Sequence, residues 1–445
     1  MTKRRPHLLY IAFWYPPSRA SGVYRALATS KAFKDAGWEV TVLTCTIEYL
    51  STVVGSIDLS LIDQVPPGVD VVRVSRVTDF DVRSMTRLSA NLPLLWSKTR
   101  TQMVGVRQRL DDLRGGDPSA YSFSDGYLAW IDPVVNSGLR VNSAKPVDHV
   151  LATGNPFSAF EAARLLSGQI AGGFSVDYRD PWTIDVFTGR TDLANRGTRE
   201  AEHQIVAEAD LCFHVNEAIA DAYRQLFPEH AKKQHVVFNG FDSSSLPPVR
   251  SRRTGAVRFG ILGTMNDKWP MDPIFMAWNS VRDRLPSGSE LVFGGHVGYF
   301  AKSTGQLVEA LPESTSGFRY LGPVPKAAVA RFYDELDVVL LPVPGGPMVT
   351  SGKVFEAYAL GIPIVCVQAE GGGARALLSD HPLAICVSPE PDSVADALLQ
   401  AARLAHDLDS KVSSGIRFEA REFERNASLR PMVESIARVV GSQGP

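Results

Sequence analysis

Residues 337–367 read DVVLLPVPGGPMVTSGKVFEAYALGIPIVCV, and separate elements can be told apart within them. Val338, Val339, Leu340 and Leu341 form an unbroken apolar run, which predicts a strand buried on both faces, and Pro342 stops it. A loop follows that carries Pro344, Gly345, Gly346 and Pro347. Val354, Ala357, Tyr358 and Leu360 then recur at the steps of three and four that mark a helix. Gly361 ends that helix, Pro363 blocks its continuation, and 364–367 reads as a second buried strand. Strand, glycine loop, helix and strand make one βαβ unit.

Polar groups gather where the loop meets the helix. A helix N-terminus carries unpaired N–H groups and about half a positive charge, so anions settle there. Thr350 and Ser351 are placed to cap it, Gly352 leaves the backbone open to a ligand, and Lys353 adds a full positive charge. Glu356 lies one turn on, on roughly the same face, where a carboxylate can accept hydrogen bonds from hydroxyls. Phosphate at the lysine and a polyol at the glutamate is the chemistry of a sugar nucleotide. The plainer alternative is a capped core helix with an exposed Lys–Glu pair. A Walker A loop is excluded, because Pro347 stands where its first glycine is needed and Val354 where its Ser or Thr is needed.

Upstream, 7–13 predicts a strand ended by Tyr15-Pro16-Pro17, and Ser21-Gly22 leads into a helix that closes near Gly37. The strand 39–44 follows, but G-x-G-x-x-G is absent and Thr44-Cys45 occupies the place of a ribose-binding acid. A nicotinamide enzyme is therefore disfavoured. Further strands are predicted at 71–74, 149–152, 174–176, 211–215 and 235–238. The third of these runs into Asp177-Tyr178-Arg179-Asp180-Pro181-Trp182, charges at a strand's C-terminal end, where α/β sheets place ligand groups. An Arg179–Asp180 pair that merely holds the loop is the alternative. Polar, proline-bearing 243–255 predicts a linker, and a new α/β series begins at Val257. Its last element is an amphipathic helix over 416–440, with Phe418, Phe423, Leu429, Val433 and Ile436 on one face.

At 445 residues the chain is long enough for two cores. Its 44% hydrophobic and 21% charged residues are ordinary for a globular protein, and a net charge of −2 gives no case for nucleic acid. Cys45, Cys212, Cys366 and Cys386 lie far apart in strand-like runs without metal-ligand spacing, so reduced, buried thiols are expected. The basic start MTKRR leads into a strand rather than an apolar leader, and no run reaches the roughly 18 apolar residues of a spanning helix. A cytoplasmic protein is the expectation.

In order along the chain, YPP…SG with GWEVTVLT, ATGNPFSAF with VDYRDPW, VVFNGFD, YLGPVP and SGKVFEAYALGIPIV resemble the family 4 glycosyltransferases, in their bacterial polysaccharide and glycoconjugate branch. The resemblance implies an α/β GT-B fold: Rossmann-like domains at 1–245 (acceptor) and 246–415 (donor) facing a central cleft, with a C-terminal helix at 416–445 returning to the N-domain. It implies a retaining, metal-independent glycosyltransferase that moves a sugar from a UDP- or GDP-type donor to a glycan, lipid-linked or small-molecule acceptor, with no cofactor. Lys353, Glu356 and Asp180 would be catalytic; Gly22, Gly263, Thr264, Lys268, Val324, Ser351 and Gly352 would join Lys353 and Glu356 in donor binding. Asn155 and Arg179 are the acceptor-side candidates. The chain departs from the family where Met348 replaces the first glutamate of E-x7-E and Thr264 replaces a phosphate-binding arginine. The alternatives are an inactive GT-B binding or partner subunit and a sugar-nucleotide epimerase.

Residues 83–114 carry seven basic and two acidic side chains, interleaved with Leu92, Leu95, Trp96 and Met103. Such a segment suits peripheral contact with the inner membrane face, each basic residue near the surface adding on the order of 1 kcal/mol. Pro93 splits it into two shorter amphipathic pieces. The expected outcome is co-sedimentation with anionic but not neutral vesicles, lost at high salt and in a Trp96→Ser, Arg100→Glu variant. Absence of binding to both vesicle types would mean that these residues pack on their own domain.

Overall fold

The computed structural model describes residues 4–51, 57–75, 127–192, 194, 196–249, 255–265, 268–297, 311 and 317–442. The basic segment 83–114 lies outside them. The chain divides into two compact units, one made of Met1–Asp185, Arg190–Val237 and Leu429–Pro445, the other of Val186–Gly189 and Phe238–Ser428.

Among the described residues the first unit holds one parallel sheet of β1 (His7–Ile11), β2 (Glu39–Cys45), β3 (Val69–Val74), β4 (His149–Gly154), β5 (Gly173–Tyr178), β6 (Leu211–His214) and β7 (Gln234–Val236), in the order β3-β2-β1-β4-β5-β6-β7. Parallel neighbours need crossover connections, so helices cover both faces and every residue of β1 is buried. On one face Leu8, Tyr10, Val40 and Val42 pack with Phe33 and Trp38, and with Leu429, Met432, Val433 and Ile436 of the helix Arg425–Ser442.

The second unit repeats the plan with β8 (Arg258–Leu262), β9 (Glu290–Gly294), β10 (Phe318–Tyr320), β11 (Val338–Pro342), β12 (Ile364–Val367) and β13 (Ala384–Val387), ordered β10-β9-β8-β11-β12-β13. Alternate residues of the central strands go to opposite cores. Val338, Leu340, Val365 and Val367 face one cluster, while Val339, Leu341, Ile364 and Cys366 face the other. That is why 338–341 has no polar alternation. Cys366 and Cys386, 20 residues apart in sequence, are register partners on β12 and β13.

Two boundary expectations are corrected. The single helix over 416–440 is instead Ser410–Glu419, a 3-10 turn Ala420–Phe423, and Arg425–Ser442. Phe423 packs against Phe238, Phe355 and Tyr358 in the second unit, whereas Leu429 onward packs in the first, and Phe418 is 67% exposed. One apolar period thus spans residues that serve two cores. The chain also leaves the first unit at Val237, before the expected 243–255 linker. The cause is a latch: Phe241 N–H donates to Phe423 O at 2.9 Å, Arg425 N–H donates to Phe241 O at 2.8 Å, and the Arg425 guanidinium reaches Asp242 at 2.8 Å. Lys326 adds bonds to Asp242 (3.2 Å) and Ser245 (2.8 Å), and Arg417 to Pro247 O (2.6 Å), so the polar stretch is fastened to the second unit. Burial pushes the Asp242 carboxyl pKa up, but Arg425 and Lys326 outweigh it and the net shift is downward.

Gly240 lies at the centre of the latch with φ 63°, and a Cβ there would meet Phe423 O at 2.6 Å. Gly240→Ala should therefore lower unfolding stability by about 1–3 kcal/mol, read from the urea midpoint at unchanged m. A variant as stable as the parent would show that the latch adds nothing.

Candidate functional site

Strand order reverses direction once in each sheet, between β1 and β4 and between β8 and β11. Loops leaving the C-terminal ends of such a pair diverge, and the crevice between them is where α/β sheets bind ligands. Sequence position alone does not reveal these pairs; hydrogen-bonded strand order does.

In the second unit, Gly263, Thr264 and Lys268 follow β8, and Ser351, Gly352, Lys353 and Glu356 follow β11, so the topology brings both donor-side sets to one crevice. Gly352 is the N-cap of the helix Lys353–Leu360 and has no side-chain cap bond; the Ser351 hydroxyl accepts from Lys353 N–H at 3.3 Å. Nothing lies within 4 Å of where a Gly352 Cβ would be, so the backbone is open there. Lys353 Nζ donates to Glu356 Oε2 at 2.7 Å, and the buried Tyr333 hydroxyl donates to the same oxygen at 2.8 Å. Glu356 is itself only 6% exposed. Burial, then Glu356, push the Tyr333 pKa well above its ordinary value, so the phenol remains a donor.

Gly263 N–H donates to Gly294 O at 3.1 Å, and Gly295 N–H to Gly322 O at 2.8 Å. The loops after β8, β9 and β10 are therefore stacked backbone on backbone, with the Val324 side chain over Gly294. Lys268 Nζ sits 3.7 Å from the centroid of the Phe187 ring, a cation–π contact. Phe187 belongs to Val186–Gly189, which groups with this unit although first-unit sequence flanks it.

The first-unit candidates also come together. The Arg179 guanidinium lies against Gly22, filling the place a side chain would need, and donates to Gly154 O at 2.6 Å and Asn155 O at 2.9 Å. It braces the 154–156 loop, where the sequence suggested a bond to Asp180 as the alternative. Asp180 and Asn155 are exposed. Beneath them Arg25 and Asp177 form a bidentate pair at 2.8 and 2.6 Å, 3% and 0% exposed, and Thr153 donates to Asp177 at 3.1 Å. On the far side of the 179–183 loop, the hydroxyls of Thr183 and Tyr223 donate to Glu202, which has no exposed surface, and Trp182 N–H donates to the Tyr223 hydroxyl oxygen Oη at 3.0 Å.

Sequence reasoning missed Tyr333, Arg25, Asp177 and Glu202 as supporting groups. Tyr333 reads as one more apolar position of its helix, and Glu202 as one more charge on a polar helix. DYRDPW did signal a charged loop, yet the buried acid is Asp177 and not Asp180. Among the described residues no group of three or more His, Cys, Asp or Glu stands in a metal-binding arrangement, and no helix is long and apolar enough to cross a membrane.

Paired Rossmann-ordered sheets with a glycine loop and a lysine at the second switch point define a two-unit α/β chain of the GT-B class, and solved structures carry the same fold. A glycosyltransferase from Rickettsia africae matches with a TM-score of 0.65 at 11% identity, covering 98% of this chain and 99% of that one. The Anabaena HepE protein in complex with UDP matches at 0.62 and 12%, covering 97% and 100%. A Listeria monocytogenes protein provisionally described as a UDP-N-acetylglucosamine 2-epimerase matches at 0.57 and 11%, covering 99% and 98%. No curated protein sequence matches the chain. The more specific finding is that residues 256–403 match the profile of the family described as Glycosyl transferases group 1. The second unit thus carries a segment like the group 1 glycosyl transferases, and the chain as a whole shares the GT-B fold of the solved structures.

Burial raises the Glu202 pKa to about 7 against bonds from Thr183 and Tyr223 that lower it. Its neighbours do not titrate in that range: Tyr178 and Tyr223 are pushed well above 10, Cys212 up to about 12, and His214 down to about 4. A carboxyl raised on folding favours the folded state below its unfolded value near 4.5, and that contribution is lost as pH rises through 7. Glu202→Gln should therefore gain on the parent by about 3 kcal/mol between pH 4.5 and 7.5, measured by urea unfolding at each pH. A pH-independent difference would contradict this assignment.

Proposed function

We propose that the chain transfers a sugar from a nucleoside-diphosphate donor to a glycan, lipid-linked or small-molecule acceptor, with retention at the anomeric carbon and without a metal or other cofactor. The observation that supports this most directly is Lys353 beside an open helix N-terminus, within the domain that matches the group 1 profile. When the bond between the anomeric carbon and the diphosphate oxygen breaks, the leaving group gains negative charge. Fixed positive groups placed where that charge develops lower the barrier. Lys353, the amides around Ser351 to Lys353 and Lys268 supply them, Lys268 on leaving the Phe187 ring.

Glu356, held through Oε2 by Tyr333 and Lys353, leaves Oε1 to accept from the donor's ribose hydroxyls. Val324, packed over Gly294, is the base-side contact, with Gly263 and Thr264 also on the donor side. In the first unit, Gly22 leaves room for the Arg179 guanidinium on the donor side, while Asn155, Arg179 and Asp180 meet the acceptor and the reacting sugar. The UDP complex of the Anabaena neighbour makes UDP-sugars the first donors to try, and GDP-sugars the second.

Incubation with UDP- and GDP-sugars and an acceptor panel tests the reading. Acceptor-dependent product with the donor's anomeric configuration supports it. Conversion of the donor sugar to its epimer without acceptor would establish the epimerase instead, and donor binding without turnover the inactive subunit. Lys353→Ala should raise the barrier to turnover by about 2–4 kcal/mol, the scale for one charge-stabilising group. Its unfolding stability should fall by about 1–3 kcal/mol, since the buried Glu356 carboxylate then keeps Tyr333 but loses its counter-charge. Glu356→Gln should weaken UDP binding, and titration calorimetry with UDP reads it. Parental turnover in Lys353→Ala would remove that lysine from the site.

A further inference from the structure

Gln368 was not singled out by the sequence, yet it is fully buried and every polar position of its side-chain amide is used. It stands immediately after β12. Its Nε2 donates to Pro344 O at 2.9 Å and to Val349 O at 3.1 Å, the two ends of the 344–349 glycine loop. Its Oε1 accepts from Ala374 N–H at 3.1 Å and Arg375 N–H at 3.3 Å, in the first turn of the helix Gly373–Leu378. The backbone is held as well: Gln368 N–H donates to Val387 O at 3.0 Å, and Arg375 Nη1 donates to Gln368 O at 3.0 Å.

The loop rests on this support along its length. A Cβ on Gly373 would meet Thr350 Oγ1 at 2.6 Å and Pro347 O at 2.7 Å, so the 347–350 backbone lies directly on Gly373. A Cβ on Gly372 would overlap the Gln368 side chain itself. Only a planar amide with two donors and an acceptor oxygen satisfies two carbonyls on one side and two N–H groups on the other. Glutamate has no proton to give the carbonyls while ionised. A hydrocarbon side chain would take this partner away from four backbone groups, one buried and three partly buried.

We propose that Gln368 is a positioning residue for sugar transfer. It clamps the 344–349 loop, and the loop in turn sets the Ser351–Lys353 backbone and the Lys353 ammonium where the donor's diphosphate is held. The inference rests on the proposed transferase reading for its kinetic consequence, but the clamp itself can be observed without turnover.

Two variants test it, Gln368→Glu and, with the glutamine intact, Gly373→Ala, which pushes the loop off its seat. Hydrogen–deuterium exchange without ligand should show the 345–351 amides exchanging at least tenfold faster in both, with β8, β9 and β11 as protected as in the parent. Donor KM should rise about tenfold or more in both variants, with a smaller change in kcat. In Gln368→Glu alone, kcat/KM relative to the parent should recover as pH falls, because a protonated carboxyl again donates one of the two bonds. A generally destabilised protein would exchange faster throughout and show no such recovery. If neither variant loosens the 345–351 amides, the clamp is refuted whatever the activity. If the loop loosens but donor KM and the pH profile stay at parental values, the positioning role is refuted. A loosened loop in a protein whose parent transfers no sugar would support the clamp and overturn the transferase reading instead.

Discussion

A parallel sheet cannot leave either face to water, and most of this structure follows from that requirement. Neighbouring parallel strands are joined only by crossovers, so helices cover both faces and each central strand is apolar throughout. Val338 to Leu341 divide between two cores, and Ile364 to Val367 do the same beside them. The crossovers place every loop that follows a strand at one edge of the sheet. Because the order of each sheet reverses once, that edge has a gap between β1 and β4 and another between β8 and β11. Both sets of candidate side chains stand at those gaps.

What shapes the gaps is buried polar chemistry rather than apolar packing. In the second unit the loop after β11 hangs from the Gln368 amide, and Lys353 is steered by a carboxylate that Tyr333 orients from behind. In the first unit the loop after β5 is fastened between two buried carboxylates, Asp177 paired with Arg25 and Glu202 held by hydroxyls. The two acids differ because their partners differ. A guanidinium neutralises one, whereas hydroxyls alone leave the other with a carboxyl pKa near neutrality. Such groups cost stability when ionised without a counter-charge. Here each one holds a loop that carries a candidate site residue.

The latch around Gly240 and Asp242 has a different job. N-G-F-D resembles a family signature, and in this chain its polar atoms are engaged with Arg425 and Lys326. It fastens the segments by which the chain enters and leaves the second unit to each other. Its distance in sequence from Arg425 hides that role.

The residue pattern alone determined the kind of protein this is. Apolar runs without alternation, glycine at loop and helix ends, and helical spacing between them specify βαβ units, because strand burial and helix amphipathicity are written in local periods of two and 3.6. Local chemistry also marked Lys353, Glu356 and the Asp177–Trp182 loop as places of interest. Tertiary structure alone decided which acid of that loop is buried, which core Phe423 serves, where the chain passes between units, and that Gln368 and Tyr333 stand behind the lysine site. Each of these depends on a partner tens or hundreds of residues away, as Asp242 depends on Arg425 and Arg25 on Asp177. A hydrogen bond between distant residues leaves no period in the sequence; it exists only once strand order has brought its two ends together.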